Sequence, residues 1–262
     1  MKTNLIKAAA DITVDIVIPV LNEAHVLEDS VETVRRFLRH NDFPYRWRVL
    51  IVDNGSKDGT LEIANDLSER YPEVHSLHLL QKGRGRALRN AWLQSRADVV
   101  CYMDVDLSTD LKHLKALVDA IAVEGFDITT GSRLMKDSQV TRSAKREIIS
   151  RIYNMVVKTA LATRFSDAQC GFKAMSREAV ELIVPQIEDQ SWFFDTEMLV
   201  LAEKQGLRIK DIPVRWVEDD DSRVKIFKTG WDDLKGILRL RKLLWSGKFN
   251  DLPVAAAKRR QS

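Results

Sequence analysis

Cysteine is scarce in this chain. Two thiols, Cys101 and Cys170, in 262 residues cannot form a disulfide framework, and they suit a reducing compartment. No apolar run reaches the ~18 residues that a spanning helix needs, because Asp or Arg interrupts each candidate. The stretch from Met1 to Ala10 holds lysines and a short alanine run but no apolar core of signal-peptide length. Neither sign of charge dominates. The net charge of +3 is too balanced for a chain coated along its length by nucleic acid, so no nucleic-acid partner is expected. There is no P-loop pattern, which argues against an ATPase, and no G-x-G-x-x-G after the first strand-like run, which argues against a dinucleotide oxidoreductase. What is present, 45% apolar and 30% charged residues, is the composition of a globular α/β domain with a tail.

The first half alternates strand-like and helix-like segments. β-branched runs at Ile16–Val20, Trp47–Val52, Val74–Leu80 and Val99–Met103 are separated by helical periodicities, the first carried by Leu27, Val31, Val34 and Leu38. Asn22 is placed to cap that first helix. The order β-α-β-α-β-α-β predicts a mostly parallel central sheet flanked by helices. The second half is less regular. It offers a strand at Asp127–Thr130, a basic helix over Ser143–Ala162, a helix from Arg177, and a strand near Ile209–Val217. The reading divides the chain into a domain over 12–228, a basic helix over 229–250, and a tail over 251–262 with no folding signal.

Ligands of open parallel sheets sit beyond the carboxyl ends of the strands. Three strands here end in polar groups: Pro19-Val20-Leu21-Asn22-Glu23, Asp53, and Asp104-Val105-Asp106. Residues i and i+2 of an extended chain share a side, so Asp104 and Asp106 form a partial site for Mg²⁺ or Mn²⁺, whose remaining ligands are water and phosphate oxygens. The plain alternative is a solvated turn. Asp53 is either a capping residue of the Gly-rich turn that follows or an acceptor for a base edge or ribose. Lys82-Gly83-Arg84-Gly85-Arg86 is either a basic surface loop or a source of cations and N–H groups for a diphosphate. Cys170 has no activating His nearby and reads as packing, as do the methionines. The histidines show no metal-ligand spacing.

These motifs, with Asp53-Asn54-Gly55-Ser56-Lys57-Asp58-Gly59-Thr60 and Gly131-Ser132-Arg133, occur in the order found in inverting family 2 glycosyltransferases, and the resemblance runs from about Asp15 to Phe227. Later blocks narrow it. Asp167-Ala168-Gln169-Cys170-Gly171-Phe172-Lys173, Trp192-Phe193-Phe194-Asp195-Thr196-Glu197 and Val214-Arg215-Trp216-Val217-Glu218 resemble segments of dolichyl-phosphate glucosyltransferases, while mannosyl-transferring relatives match them less well. Arg223 stands where those relatives carry Lys, after extra acids at Asp219 to Asp221. The resemblance implies the GT-A nucleotide-sugar-binding fold and transfer of glucose from UDP-glucose to a polyprenyl or dolichyl phosphate. It also implies that Pro19, Asn22, Glu23, Asp53, Lys82 and Asp104 bind the donor, and that Asp104 and Asp106 hold Mg²⁺ or Mn²⁺. An acceptor that is already an anion needs cations to dock it; Arg133 and Arg223, backed by Arg146 and Arg151, are the candidates. A hydroxyl acceptor would need a base instead, for which Asp195 is the candidate, although an acid at a helix N-terminus is also ordinary. Mannosyl transfer from GDP-mannose and a non-catalytic nucleotide-sugar-binding module are the competing readings.

A bilayer-resident acceptor requires contact with a membrane. From Lys225 onward ten Lys/Arg stand against three Asp. Trp231, Leu234, Leu238 and Trp245 share one helical face, with Ile237 and Leu244 beside it. Arg241 intrudes on the apolar arc, and Leu240 and Leu243 fall outside it. The pattern suits peripheral attachment to an anionic, cytoplasmic membrane face. The alternative is a helix that packs on the domain or on a second subunit.

Overall fold

The computed structural model describes residues 8–218 and 226–246. Seven strands form the central sheet: β1 (Thr13–Val20), β2 (Arg46–Asp53), β3 (Val74–His78), β4 (Val99–Met103), β5 (Ile128–Ser132), β7 (Phe172–Ser176) and β8 (Ile209–Pro213). Their spatial order is β3-β2-β1-β4-β7-β5-β8. All neighbours run parallel except β7, which lies antiparallel between β4 and β5. A separate parallel pair joins β6 (Gln139–Thr141) to β9 (Arg215–Val217). The helices are α1 (Leu27–His40), α2 (Thr60–Arg70), α3 (Arg84–Gln94), α4 (Leu114–Ala122), α5 (Ala144–Leu161), α6 (Arg177–Ile183), α7 (Phe194–Lys204) and α8 (Ile226–Trp245).

Strand alternation divides the core in two. Ile16, Ile18, Cys101 and Met103 face one side, where Leu27, Val31, Val34 and Leu38 of α1 meet them with α2 and α4. Val17, Val100 and Tyr102 face the other, with Trp92 of α3, Phe193, α7, and Ile237 and Leu240 of α8. Every residue of β4 and β7 is buried, as expected for strands covered on both faces.

Several expectations need correction. The strand predicted over Ile209–Val217 is two: Pro213 ends β8, and β9 leaves the main sheet for β6. β7 was not anticipated as a strand, because five residues carrying a lysine show no strand periodicity; Lys173 is nonetheless wholly buried. Asn22 is not a helix cap. It has φ 57°, its N–H donates to Ser56 Oγ (2.8 Å), and its Oδ1 accepts from Lys57 N (2.8 Å), so it ties the end of β1 to the turn after β2. α1 begins only at Leu27, without a side-chain cap. Met155, expected to pack, is exposed. Arg223 and the 251–262 tail lie outside the described residues.

α8 packs one face on the domain and leaves a second apolar stripe exposed. Ile237 and Leu240 enter the core, and Gly236 lies so close to Phe193 that an added Cβ would be 2.4 Å from its ring. Leu243 and Leu244 pack at its edge. The stripe of Trp231, Leu234, Leu238 and Trp245 is 61, 40, 58 and 78% exposed. Asp233 is buried on the packed face; it accepts from Gln169 Nε2 (3.2 Å), and its Oδ1 has no partner among the described residues. Burial, then repulsion from Asp189 and Asp232, pushes its carboxyl up to about 7.

The folded chain therefore holds a proton on Asp233 that the unfolded chain has already released between about pH 4 and pH 7. Stability from this group is present at low pH and is lost as the pH rises through that window. Asp233→Asn should flatten the loss, leaving the variant more stable than the parent at pH 8 by on the order of 1–3 kcal/mol, read from urea melts at pH 5 and pH 8.

Candidate active site

β1 is flanked by β2 on one side and β4 on the other. The chain steps outward from β1 to β3 and then returns to β4, so the strand order reverses between β1 and β4. A cavity of about 630 Å³ opens at the carboxyl ends of these two strands, the place where an open α/β sheet receives a ligand. β1 and the segment after it supply Pro19 and Glu23, and the segment after β4 supplies Asp104 and Asp106. Lys82 and Arg84 reach it from the loop and first turn of α3, Arg133 from the end of β5, and Asp195 from the first turn of α7. Arg142 and Arg146 form the α5 side, and Trp192 and Trp216 are walls.

Asp104 and Asp106 both reach the cavity, but not by strand alternation. β4 ends at Met103, and the chain turns through Val105 to Leu107, which has φ 50°. Ser108 N donates to Asp106 Oδ1 (2.9 Å). Asp104 lies beside Gly171, where an added Cβ would be 1.7 Å from Oδ2, so only glycine leaves room for this carboxylate. Asp104 keeps 41% of its side chain exposed. Among the described residues no group of three or more His, Cys, Asp or Glu is arranged to hold a metal. Two accessible carboxylates fit Mg²⁺ or Mn²⁺, which take oxygen ligands and fill their shells with water and phosphate oxygens. They do not fit a closed zinc or calcium cage.

Arg84 joins the two acidic centres. Its Nη2 donates to Asp104 Oδ1 (2.7 Å) and its Nη1 to Asp195 Oδ2 (2.5 Å). Its guanidinium lies 4.9 Å from the Tyr102 ring centre and 5.1 Å from that of Trp192. Asp195 is 2% exposed, accepts a short hydrogen bond from Tyr102 OH, and has Lys173 Nζ at 3.2 Å. Burial alone would raise its carboxyl, but Lys173 and Arg84, with the Tyr102 bond, hold it below the usual carboxylate range. Burial and the neighbouring acids push the Tyr102 phenol well above its ordinary value, against the opposing pull of Arg84, so it stays a donor.

Arg133 is likewise committed. It forks the wholly buried Asp167 through Nε–Oδ2 (2.7 Å) and Nη2–Oδ1 (2.9 Å), and its guanidinium lies 5.6 Å from the Trp216 ring centre. Burial opposes the Asp167 charge, yet Arg133 holds that carboxyl down at about 2. Arg146 pairs with Glu218 and still lines the cavity. Arg151 does not line it; it is exposed and pairs with Glu147 one turn earlier on α5. Asp53 and Asn22 are also absent from the lining. Asp53 accepts from His78 Nδ1 (2.7 Å) and from Ser56 N (3.3 Å). Its neighbour Asn54 does face the cavity, with a buried Oδ1 that has no partner among the described residues. Cys170 is buried, and burial pushes its thiol up to about 11, consistent with packing.

Sequence reasoning missed Arg84, Arg142, Asp167 and Lys173 as members of this network. Three of them lay inside motifs that had been singled out, Arg84 in the basic loop, Asp167 and Lys173 in the block around Cys170. Their pairing with distant residues carried no local signal.

Gly171→Ala tests the geometry. The new methyl should push Asp104 off Arg84 and lower catalytic turnover by about 10², with a lower melting temperature but an unchanged circular dichroism spectrum.

The family described as glycosyl transferase family 2 matches residues 15–183. The chain is 39% identical over 225 residues to "Glycosyltransferase AglD" of Haloferax volcanii, covering 84% of this chain but only 35% of that relative's length. It is 30% identical over 243 residues to the "Dolichyl-phosphate beta-glucosyltransferase" of Dictyostelium discoideum, covering 88% of this chain and 74% of the relative. Among solved structures it resembles glucosyl-3-phosphoglycerate synthase from Mycobacterium tuberculosis in complex with UDP, with a TM-score of 0.65 at 17% identity over 93% of this chain and 82% of that one. The same enzyme with Mn²⁺, UDP-glucose and phosphoglyceric acid gives a TM-score of 0.63 at 15% identity, over 93% and 81%. The sheet order, the cavity at its switch point and these matches agree: the fold is GT-A, and the chain belongs to glycosyl transferase family 2 as a glycosyltransferase.

Proposed function

We propose that this glycosyltransferase moves glucose from UDP-glucose to a polyprenyl or dolichyl phosphate, inverting the anomeric centre. The observation that carries this reading is the state of Asp195. Arg84 holds one of its oxygens, Tyr102 and Lys173 hold the other, and together they keep its carboxyl below the usual range, which makes it a weak base. A hydroxyl acceptor needs a base at this position; a phosphate acceptor does not. Arg133, Arg142 and Arg146 line the cavity and would bring positive charge to such an anion. The names of the dolichyl-phosphate β-glucosyltransferase relatives support the same acceptor and sugar, and the UDP-glucose complex of the structural neighbour supports the nucleotide.

In this reading Pro19, Glu23 and Asn54 Oδ1, which has no partner among the described residues, receive the nucleoside, and Lys82, Gly83 and Arg84 of the glycine loop line the side where the diphosphate sits. Asp104 and Asp106 would hold Mg²⁺ or Mn²⁺, which offsets the charge that develops on the leaving diphosphate. A phosphate oxygen of the acceptor attacks the anomeric carbon opposite the leaving group. The bond from that carbon to the diphosphate oxygen breaks as the new carbon–oxygen bond forms, and UDP departs with the electron pair. No proton needs to move. Arg84 fixes Asp104 and Asp195 relative to each other, and the Trp192 and Trp216 walls narrow access by water.

The acceptor would be met at a bilayer. No described helix is long and apolar enough to cross a membrane. The exposed Trp231, Leu234, Leu238 and Trp245 form an apolar stripe on α8, flanked by the exposed Lys235, Arg241 and Lys242. This suits a helix lying in the interface of an anionic leaflet, as on the cytoplasmic face.

Purified protein incubated with UDP-glucose, GDP-mannose and a short polyprenyl phosphate should consume UDP-glucose and yield a lipid of hexosyl-phosphate mass. EDTA or Asp106→Asn should lower the rate by at least ~10². Consumption of GDP-mannose alone would overturn the glucose assignment. Replacing Trp231, Leu238 and Trp245 by Ser should abolish sedimentation with anionic vesicles and leave turnover on a water-soluble short-chain acceptor unchanged; undiminished sedimentation would sink the membrane assignment.

A further inference from the structure

We propose that Arg239, on α8, is a positioning residue for the glycine loop that faces the donor diphosphate; the inference rests on the donor site proposed above. Arg239 stands outside the cavity. Its guanidinium forks Glu197 through Nη1–Oε1 (2.9 Å) and Nη2–Oε2 (2.7 Å), and Nη1 also reaches Glu188 Oε2 (2.7 Å). Glu197 is buried in the first turn of α7, two residues after Asp195. The same carboxylate accepts the backbone N–H groups of Glu188 (3.2 Å) and Asp189 (2.9 Å). One acid thus anchors the 188–191 loop from within, and Arg239 supplies the charge that makes its burial tolerable.

The far side of that loop carries the glycine loop. Gln190 O accepts from Arg86 N (3.0 Å), and Ser191 O accepts from Gly85 N (3.1 Å). Asp189 Oδ1 accepts from Ser191 N (2.7 Å) and stiffens the turn between them. Gly83 has φ +149°, and an added Cβ there would lie 2.3 Å from Gln190 O, so the two loops are in direct backbone contact. Arg84, which bridges Asp104 and Asp195, is the next residue. The path from Arg239 to the cavity-lining Gly83 and Arg84 is therefore continuous: guanidinium, Glu197, the 188–191 backbone, the glycine loop. It begins on the helix that also carries the exposed Trp231–Trp245 stripe.

Loss of Arg239 leaves Glu197 buried with two N–H donors and no countercharge, which should let the 188–191 loop shift and carry the glycine loop with it. Nucleotide-sugar affinity is the property at risk. The experiment titrates UDP-glucose and UDP into the full chain by calorimetry without acceptor, and then measures donor and acceptor KM separately. Arg239→Gln should weaken donor binding and raise the donor KM about tenfold, with the acceptor KM within about twofold of the parent. Arg239→Lys, which keeps the charge but not the fork, should recover part of the loss. Asp189→Ala, a change at a half-buried residue that leaves Glu197 paired, should weaken the donor in the same direction by a smaller factor and serves if Arg239→Gln fails to fold. Unchanged donor affinity in folded Arg239→Gln, or in Asp189→Ala where the first does not fold, overturns the inference, as does an equal rise in both KM values. If the parent itself binds no nucleotide sugar, the donor site proposed above fails instead.

Discussion

The site is organised by a buried guanidinium held between two carboxylates. Arg84 touches Asp104 on one side and Asp195 on the other, and it sits against the rings of Tyr102 and Trp192. Removing such charges from water costs several kcal/mol each, which only close and multiple partners offset. The partners come from four separate places in the chain: the glycine loop, β4 and its end, the 192–197 block, and β7 through Lys173. The arrangement exists only when the strands around the switch point are in register and α7 is docked behind them. The same network sets the basicity of Asp195, because a carboxylate already engaged by two cations and a phenol is a poor proton acceptor.

Arg133 and Asp167 repeat this logic at the opposite wall. A surface arginine offers its whole hydrogen-bonding fork to a ligand. Arg133 gives two of its donors to a buried carboxylate, and its remaining edge faces the cavity beside Trp216. Its orientation is therefore set by the fold rather than by solvent. Arg151, which is exposed and paired along its own helix, has no comparable constraint. Charge alone does not distinguish the two residues.

α8 shows how one amphipathic pattern can serve two surfaces. Helical periodicity marks an apolar stripe, but a helix with tryptophans and leucines around much of its circumference has more than one apolar face. Packing against Phe193 and the second core uses Gly236, Ile237 and Leu240. That choice leaves the tryptophan stripe outward and brings Arg239 to the buried Glu197.

The alternation of strands and helices, the polar residues at the strand ends and hence the edge at which a ligand would sit were all legible in the chain. They were so because hydrophobic periodicity and turn chemistry are local properties, readable within a few residues. The Asp104/Asp106 pair was legible for this reason, although the turn that presents it was not. Long-range packing alone shows that β7 inserts antiparallel, that Asn22 is a latch between loops rather than a cap, and that Asp53 binds His78. It also decided which cations hold which acids. Arg84 and Asp195 are 111 residues apart, and Arg239 and Glu197 lie on different helices. A charged side chain takes the partner that packing brings within ~3 Å, and that distance is set by the whole fold rather than by neighbours in the chain.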